Sequence, residues 1–291
     1  MNPIGTFRED SGVTEEQYKQ IDQTVRRSAQ EVMVARQITS LFGPLGFGKQ
    51  AVTFDKLTER RDANVQFAFR PNKDEDNVNL ARTTNKIAFI DAPFRIPSQS
   101  LAASRTTGTP LDVLNAQSAG YKVALKENAI ILDGFAADGT NYDIEGFYQG
   151  AGNTEATADD YGTAGNAVLK MTLAMAVLRT DNIFPPYNKV LNPTQYNQML
   201  GLIANTGILE IDVVQRQIKG QIYESPTQTA ATGMLMGQAG RGFFDVALGV
   251  DVTTELEQMG LADGKDLYGV VYESLAPRIW EDNAICTLTS I

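Results

Sequence analysis

The stretch GPLGFGKQ, residues 43–50, fits the phosphate-cradling pattern G-x-x-x-x-G-K-[ST] at every position but the last. Such a loop leaves a strand and enters a helix, so that backbone amides and the helix N-terminus face the phosphates while the final hydroxyl holds magnesium. Here a helical pattern precedes it, a strand-like run AVTFDKL follows, and Gln50 stands where the hydroxyl belongs. A glycine-rich turn from helix to strand is the better reading, and no nucleotide or other cofactor is expected. The remaining candidates for chemistry fail in similar ways. The chain has no histidine and one cysteine, Cys286, which removes histidine-assisted nucleophilic catalysis and the commonest metal ligand. Cys286 sits in the alternation AICTL and reads as a small buried hydrophobe. Asp74–Asp76 lacks the glycine and terminal glutamate of a calcium loop, so it reads as a solvated turn. Asp159 and Asp160 are adjacent and point in different directions, which suits charge at a helix N-terminus better than acid–base work. No catalytic, cofactor-binding or metal-binding residue is assigned, and the chain is not expected to be an enzyme.

What would such residues be mounted on? The 291 residues suffice for a large core, and 43% hydrophobic with 21% charged residues is a globular composition. No signal peptide or run of about 18 apolar residues is present, so no membrane partner is expected. The net charge of −10 argues against a protein whose main task is gripping nucleic acid, though not against one that merely encloses it.

Thr14–Gln17 reads as a capping box opening a helix, with Ile21, Val25, Ala29, Val32 and Arg36 at helical spacing to about residue 38. From Asn64 to Ile96 a two-armed pattern is expected: NVQFAF, a polar tip, then KIAFIDAPFRI returning as a second extended arm. With so little apolar content near its tip, this projection is expected to lie on a neighbouring molecule. A long helix is predicted from Pro110 to Asp133, capped by Thr109 and ended by Gly134, with Leu111, Leu114, Ser118, Tyr121, Leu125 and Ile131 on one face. At 1.5 Å per residue it would run about 36 Å, a spine. A second amphipathic helix spans 163–178, a strand 189–191 leads to a helix with Asn192 as N-cap and Pro193 in its first turn, and five strand-like runs close the chain. The class is α+β.

This order of elements resembles the encapsulins and tailed-virus major capsid proteins that share the Hong Kong 97-type shell fold. The resemblance rests on the N-terminal helix ending in Gly43-Pro44, the segment FRIPSQSLAASRTTGTPLDVLNAQSAGYKVALKENAIILDG, the pair YNKVLNPTQYNQML, and the closing strands FFDVALGVDVTTELE and LYGVVYESLAPRIWEDNAICTL. It implies an N-terminal arm and helix over 1–57, an extended hairpin (the E-loop) over 58–97, a P-domain with the spine helix over 98–186 and 250–291, and an A-domain over 187–249. It also implies self-assembly into pentamers and hexamers of an icosahedral shell. Encapsulins tend to carry ED near the end of the spine helix and IDD just before it, whereas this chain has KEN at Lys126–Asn128 and PSQSLAASR. Those departures favour a viral major capsid protein enclosing double-stranded DNA in a virion built in the host cytoplasm. The alternative is an encapsulin forming a cytoplasmic nanocompartment around cargo enzymes. Lys19, Arg26, Arg27 and Arg36 against Asp22 and Glu31 give the N-terminal helix a positive balance suited to weak, non-specific contact with packaged DNA. Its apolar side would equally form a groove for cargo peptides. Lys73 and Lys86 read as ordinary surface lysines rather than as partners in the Lys–Asn crosslinks of some viral shells.

Overall fold

A computed structural model describes residues 14–59, 79–107, 113–139, 141–157, 160–203, 206–257 and 266–291. The first helix, α1 (Glu15–Gln30), forms where its cap demands: Gln17 N donates to Thr14 Oγ1 and Thr14 N donates to Gln17 Oε1, with Glu15 and Glu16 in the first turn. Tyr18, Ile21, Val25, Ser28 and Ala29 make its buried face. The expected single helix to residue 38 is broken, and α2 (Ala35–Ile38) is a separate turn. The cause is a side chain: Asn128 accepts from Ala35 N at 3.0 Å and donates to Val32 O, drawing on backbone groups that a continuous helix would have bonded internally.

Four strands form the larger sheet's order β1-β11-β12-β4. Strand β11 (Phe244–Glu257) and β12 (Leu267–Ile279) pair antiparallel, β4 (Ala88–Ile96) pairs antiparallel with β12, and β1 (Ser40–Phe42) lies parallel to β11. Helix α3 (Ser98–Thr107) follows β4, and the spine helix is α4 (Leu114–Leu132). The expected caps Thr109 and Pro110 lie outside the described residues. At the other end Gly134 takes a positive φ of +87°, as expected of a helix-ending glycine. Helices α1 and α4 and the inner face of the sheet share one core.

Two expectations need correction here. The run 88–96 does not project as the returning arm of a hairpin; it is β4, its register running from Ile96 opposite Leu267 to Ala88 opposite Leu275 of the same chain. The reason is its alternation, because Ile90, Ala92, Phe94 and Ile96 all point into the core and a free projection would leave them in water. A hairpin does exist earlier in the chain, between β2 (Ala51–Glu59) and β3 (Asn79–Lys86); the NVQFAF arm and the polar tip lie outside the described residues. The buried face of α4 also differs. Leu114, Ser118 and Tyr121 are exposed, and the core face is made of Ala116, Ala119, Gly120, Val123, Ala124, Glu127, Asn128, Ile130 and Ile131. Small residues win because α1 crosses at close range: a Cβ on Gly120 would meet Val25 O at 2.8 Å.

The second, five-stranded sheet has the order β7-β13-β10-β8-β9. Its strands are β7 (Asn153–Glu155), β8 (Tyr187–Leu191), β9 (Ile222–Glu224), β10 (Thr232–Gly237) and β13 (Ile285–Thr289). Helices α5 (Asn166–Thr180), α6 (Pro193–Gln198) and α7 (Glu210–Ile218) accompany it, with Asn192 capping α6 by accepting from Thr194 N at 2.9 Å. A short pair, β5 (Gly134–Phe135) and β6 (Ile144–Glu145), closes the end of the spine. A separate core of Met171, Leu178, Tyr187, Val214, Leu235 and neighbours fills this half.

Candidate functional site

Strand β11 outruns its parallel neighbour. After Phe42 the chain makes two more bonds to it, from Leu45 N to Leu248 O and from Gly46 N to Gly249 O. It then turns away, and from Val250 on no strand among the described residues covers that edge. The result is a groove of about 600 Å³ between α1, the 43–47 segment and β11. Its lining is Leu41, Pro44, Leu45, Phe47, Val250, Val252 and Tyr272, with Arg26 on one wall and Asp251 and Glu255 on the other. An exposed strand edge invites uncontrolled pairing, and here several of its polar groups are already taken. Tyr18 Oη donates to Thr254 O at 2.8 Å, Val252 N donates to Asp251 Oδ1 at 2.9 Å, and Thr253 Oγ1 donates to Asp251 O at 2.7 Å. Binding there therefore falls mainly to side chains.

The rim is aromatic. Phe47, 69% exposed, meets Phe89 edge-on at 5.7 Å and Tyr272 at 6.1 Å, and Phe89 stacks on Tyr272 at 5.5 Å. So large an apolar area left in water on one face of a sheet is the mark of an interaction surface.

Behind the groove one guanidinium organises four elements. Arg36 of α2 donates through Nε to Glu127 of α4 at 2.6 Å, through Nη1 to Asp251 of β11 at 2.8 Å, and through Nη2 to Glu273 of β12 at 3.0 Å. Glu127 and Glu273 are fully buried. Burial raises both carboxyls above the usual range against the pull of Arg36, and Glu273 is raised further by Glu127. Burial opposes the charge on Arg36 too, but the carboxylates outweigh it and hold its proton more firmly than usual.

The stretches singled out in the sequence fall in ordinary places. GPLGFGKQ links β1 to β2, with no helix to receive a phosphate, and forms one wall of the groove. Its role was invisible to a motif reading because Pro44, Leu45 and Phe47 matter as surface rather than as a loop around a ligand. Cys286 is fully buried, and burial pushes its thiol up to about 12. Asp160 accepts from Gly162 N at 2.8 Å in the turn ahead of α5, Lys86 pairs with Asp143 at 2.8 Å, and Lys73, Asp74–Asp76 and Asp159 lie outside the described residues. The sequence reading overlooked Lys189. This side chain is fully buried, with Nζ 3.1 Å from Tyr161 Oη and 4.6 Å from the Tyr161 ring centre, and burial pushes it down to about 7 while Glu210 pulls it back. Its position inside YNKVL, a strand buried at every residue, was the available signal.

A two-sheet body with a spine helix and an N-terminal helix laid across it is the architecture of Hong Kong 97-type shell proteins. The virus-like particle protein of Pyrococcus furiosus superposes with a TM-score of 0.71 at 16% identity, covering 94% of this chain and all of that one. The capsid protein of Myoviridae phage XM1 gives 0.64 at 12% identity over 89% of this chain and 92% of that one. The fold is thus shared with phage major capsid proteins. Within that class, the model of the Linocin_M18 family, encapsulating protein for peroxidase, matches residues 6–274, and the chain belongs to this encapsulin family. It is 27% identical to the type 1 encapsulin shell protein of Myxococcus xanthus, covering 96% of this chain and 94% of that protein. It is 25% identical to the diheme-cytochrome–encapsulin shell fusion protein of Kuenenia stuttgartiensis, over 95% of this chain and 73% of the fusion. Membership makes it a structural shell protein rather than an enzyme.

These findings overturn the viral reading, together with its virion and its packaged DNA. That reading leaned on the PSQSLAASR and KEN departures, and at KEN the geometry explains why it misled. Glu127 serves Arg36 and Asn128 pins the break between α1 and α2, so both positions answer to internal packing rather than to what the shell encloses.

Proposed function

We propose that the chain assembles with many copies of itself into a closed protein nanocompartment and that the groove beside β11 holds an extended segment of an enclosed cargo protein. The observation that carries the cargo assignment is the open, aromatic-rimmed groove, which joins an apolar floor to charged walls and has some of its backbone groups already satisfied. A short peptide with aliphatic side chains for the floor fits it. Of the division expected from the resemblance, the hairpin as the element that overlaps an adjacent subunit, a P-domain over 98–186 and 250–291 around the spine, and an A-domain over 187–249 remain part of this proposal. Symmetric closure then follows from repeated use of the same interfaces.

The test is the variant Leu41→Asp, which places a charge in the groove at a lining residue that is 46% exposed. Shells purified from the source organism are expected to remain particles on the order of tens of nanometres across while losing the protein that co-purifies with the wild type. Cargo retained at the wild-type ratio would overturn the groove assignment. Particles that never form would contradict the placement of Leu41 on a surface left free in the shell.

A further inference from the structure

We propose that the buried Glu127–Glu273 pair is a proton-operated latch on the N-terminal helical arm, residues 15–38, closed while the two carboxyls share a proton and released when rising pH removes it. The argument begins with hydrogen-bond accounting. Arg36 satisfies one oxygen of each carboxylate, and the two left over, Glu127 Oε2 and Glu273 Oε1, are buried and meet no other donor. Both carboxyls sit on the same guanidinium, and two buried acceptors held side by side are satisfied only if one carries a proton. The charged groups facing the pair are Arg36 from α2 and Asp251 from β11. With the proton present, one guanidinium faces two negative charges; without it, three, two of them fully buried.

Which element yields follows from how each is held. Glu127 lies within the 19-residue spine, and Glu273 lies mid-strand in β12 between β11 and β4. Arg36 sits on a four-residue turn held by the burial of Ala35 and Ile38, by the Asn128 amide and by Arg36 itself. That turn is the shortest of the three elements, so repulsion inside the cluster is relieved by outward movement of the arm to which it belongs.

Hydrogen exchange on the full-length chain tests this, with rates corrected for the intrinsic effect of pH. Burial raises both carboxyls above the usual carboxylate range, so exchange is followed over the range from about pH 5 to about pH 10. Exchange in 15–38 is expected to rise about tenfold or more across it while exchange in α5, in the other core, stays level. Glu273→Gln keeps a hydrogen-bond donor against Glu127 and cannot titrate, so its arm should show no rise; Glu127→Gln serves the same purpose if the first variant does not fold. Equal rises in the arms of wild type and variant overturn the latch, as does a wild-type arm that stays level or loosens only in step with α5. Should neither variant fold, the wild-type comparison between arm and α5 decides alone.

Discussion

At the scale of single residues the informative groups are those whose ionisation the fold opposes. Lys189 is the clearest. Its ordinary value near 10.5 falls to about 7 because burial disfavours the charged amine. Between those two values the unfolded chain binds a proton that the native chain does not, so this residue makes native stability rise with pH, by about 1.4 kcal/mol per unit. Below about 7 the native state must accommodate the charge and the dependence ends. The urea midpoint of the wild type should therefore rise from neutral pH toward pH about 9 relative to Lys189→Met, which has nothing to titrate there. Parallel profiles for the two proteins would show that Lys189 is charged throughout. Composition and spacing identify such a lysine only by the company it keeps, an unbroken buried strand. The hub at Arg36 was less legible still, because Glu127, Asp251 and Glu273 lie 91, 215 and 237 residues away and no local pattern joins them.

At the scale of elements, local chemistry was a dependable guide wherever the deciding contacts are local. The Thr14 capping box, the Asn192 cap, the glycine stop at Gly134 and the five C-terminal strand runs all stand where the residues put them. The failures occur where a distant partner decides. The large side chains Leu114 and Tyr121 looked like the buried stripe of α4, but close approach of α1 selected the small-residue face instead. A direct prediction follows from that crossing. Gly120→Ala improves helix propensity by about 1 kcal/mol, yet its methyl would sit 2.8 Å from Val25 O, a backbone atom that cannot swing aside. Separating the helices also strains the bond from Ser28 Oγ to Gln117 O at 2.7 Å. The clash outweighs the propensity gain, and a net loss of about 1–3 kcal/mol is expected, visible as a lowered denaturation midpoint. A raised midpoint would mean that the crossing has slack.

At the scale of the whole molecule the hairpin β2–β3 decides how far the subunit is complete in itself. Its base is tied to its own chain: Asn85 Nδ2 donates to Pro277 O at 2.7 Å, Lys56 pairs with Asp282 at 3.1 Å, and Phe54 packs on Trp280 at 5.4 Å. The expectation that a projecting pair of strands would touch nothing of its own polypeptide was thus too strong, and the described strands supply the anchor. The segment 60–78 that joins them sets Val65, Phe67 and Phe69 of the NVQFAF arm beside a charged tip of Arg70, Lys73, Asp74, Glu75 and Asp76. If that segment is the part that meets a neighbour, replacing it with a short turn leaves every base contact intact. The shortened chain should keep the wild-type circular dichroism and denaturation midpoint while eluting as a small species in size-exclusion chromatography. Loss of folding would place the segment's role inside the subunit. Full-sized particles would show that closure rests on the two sheets and the arm, since stable interfaces of on the order of 2,000 Å² would then have to be found elsewhere on the body.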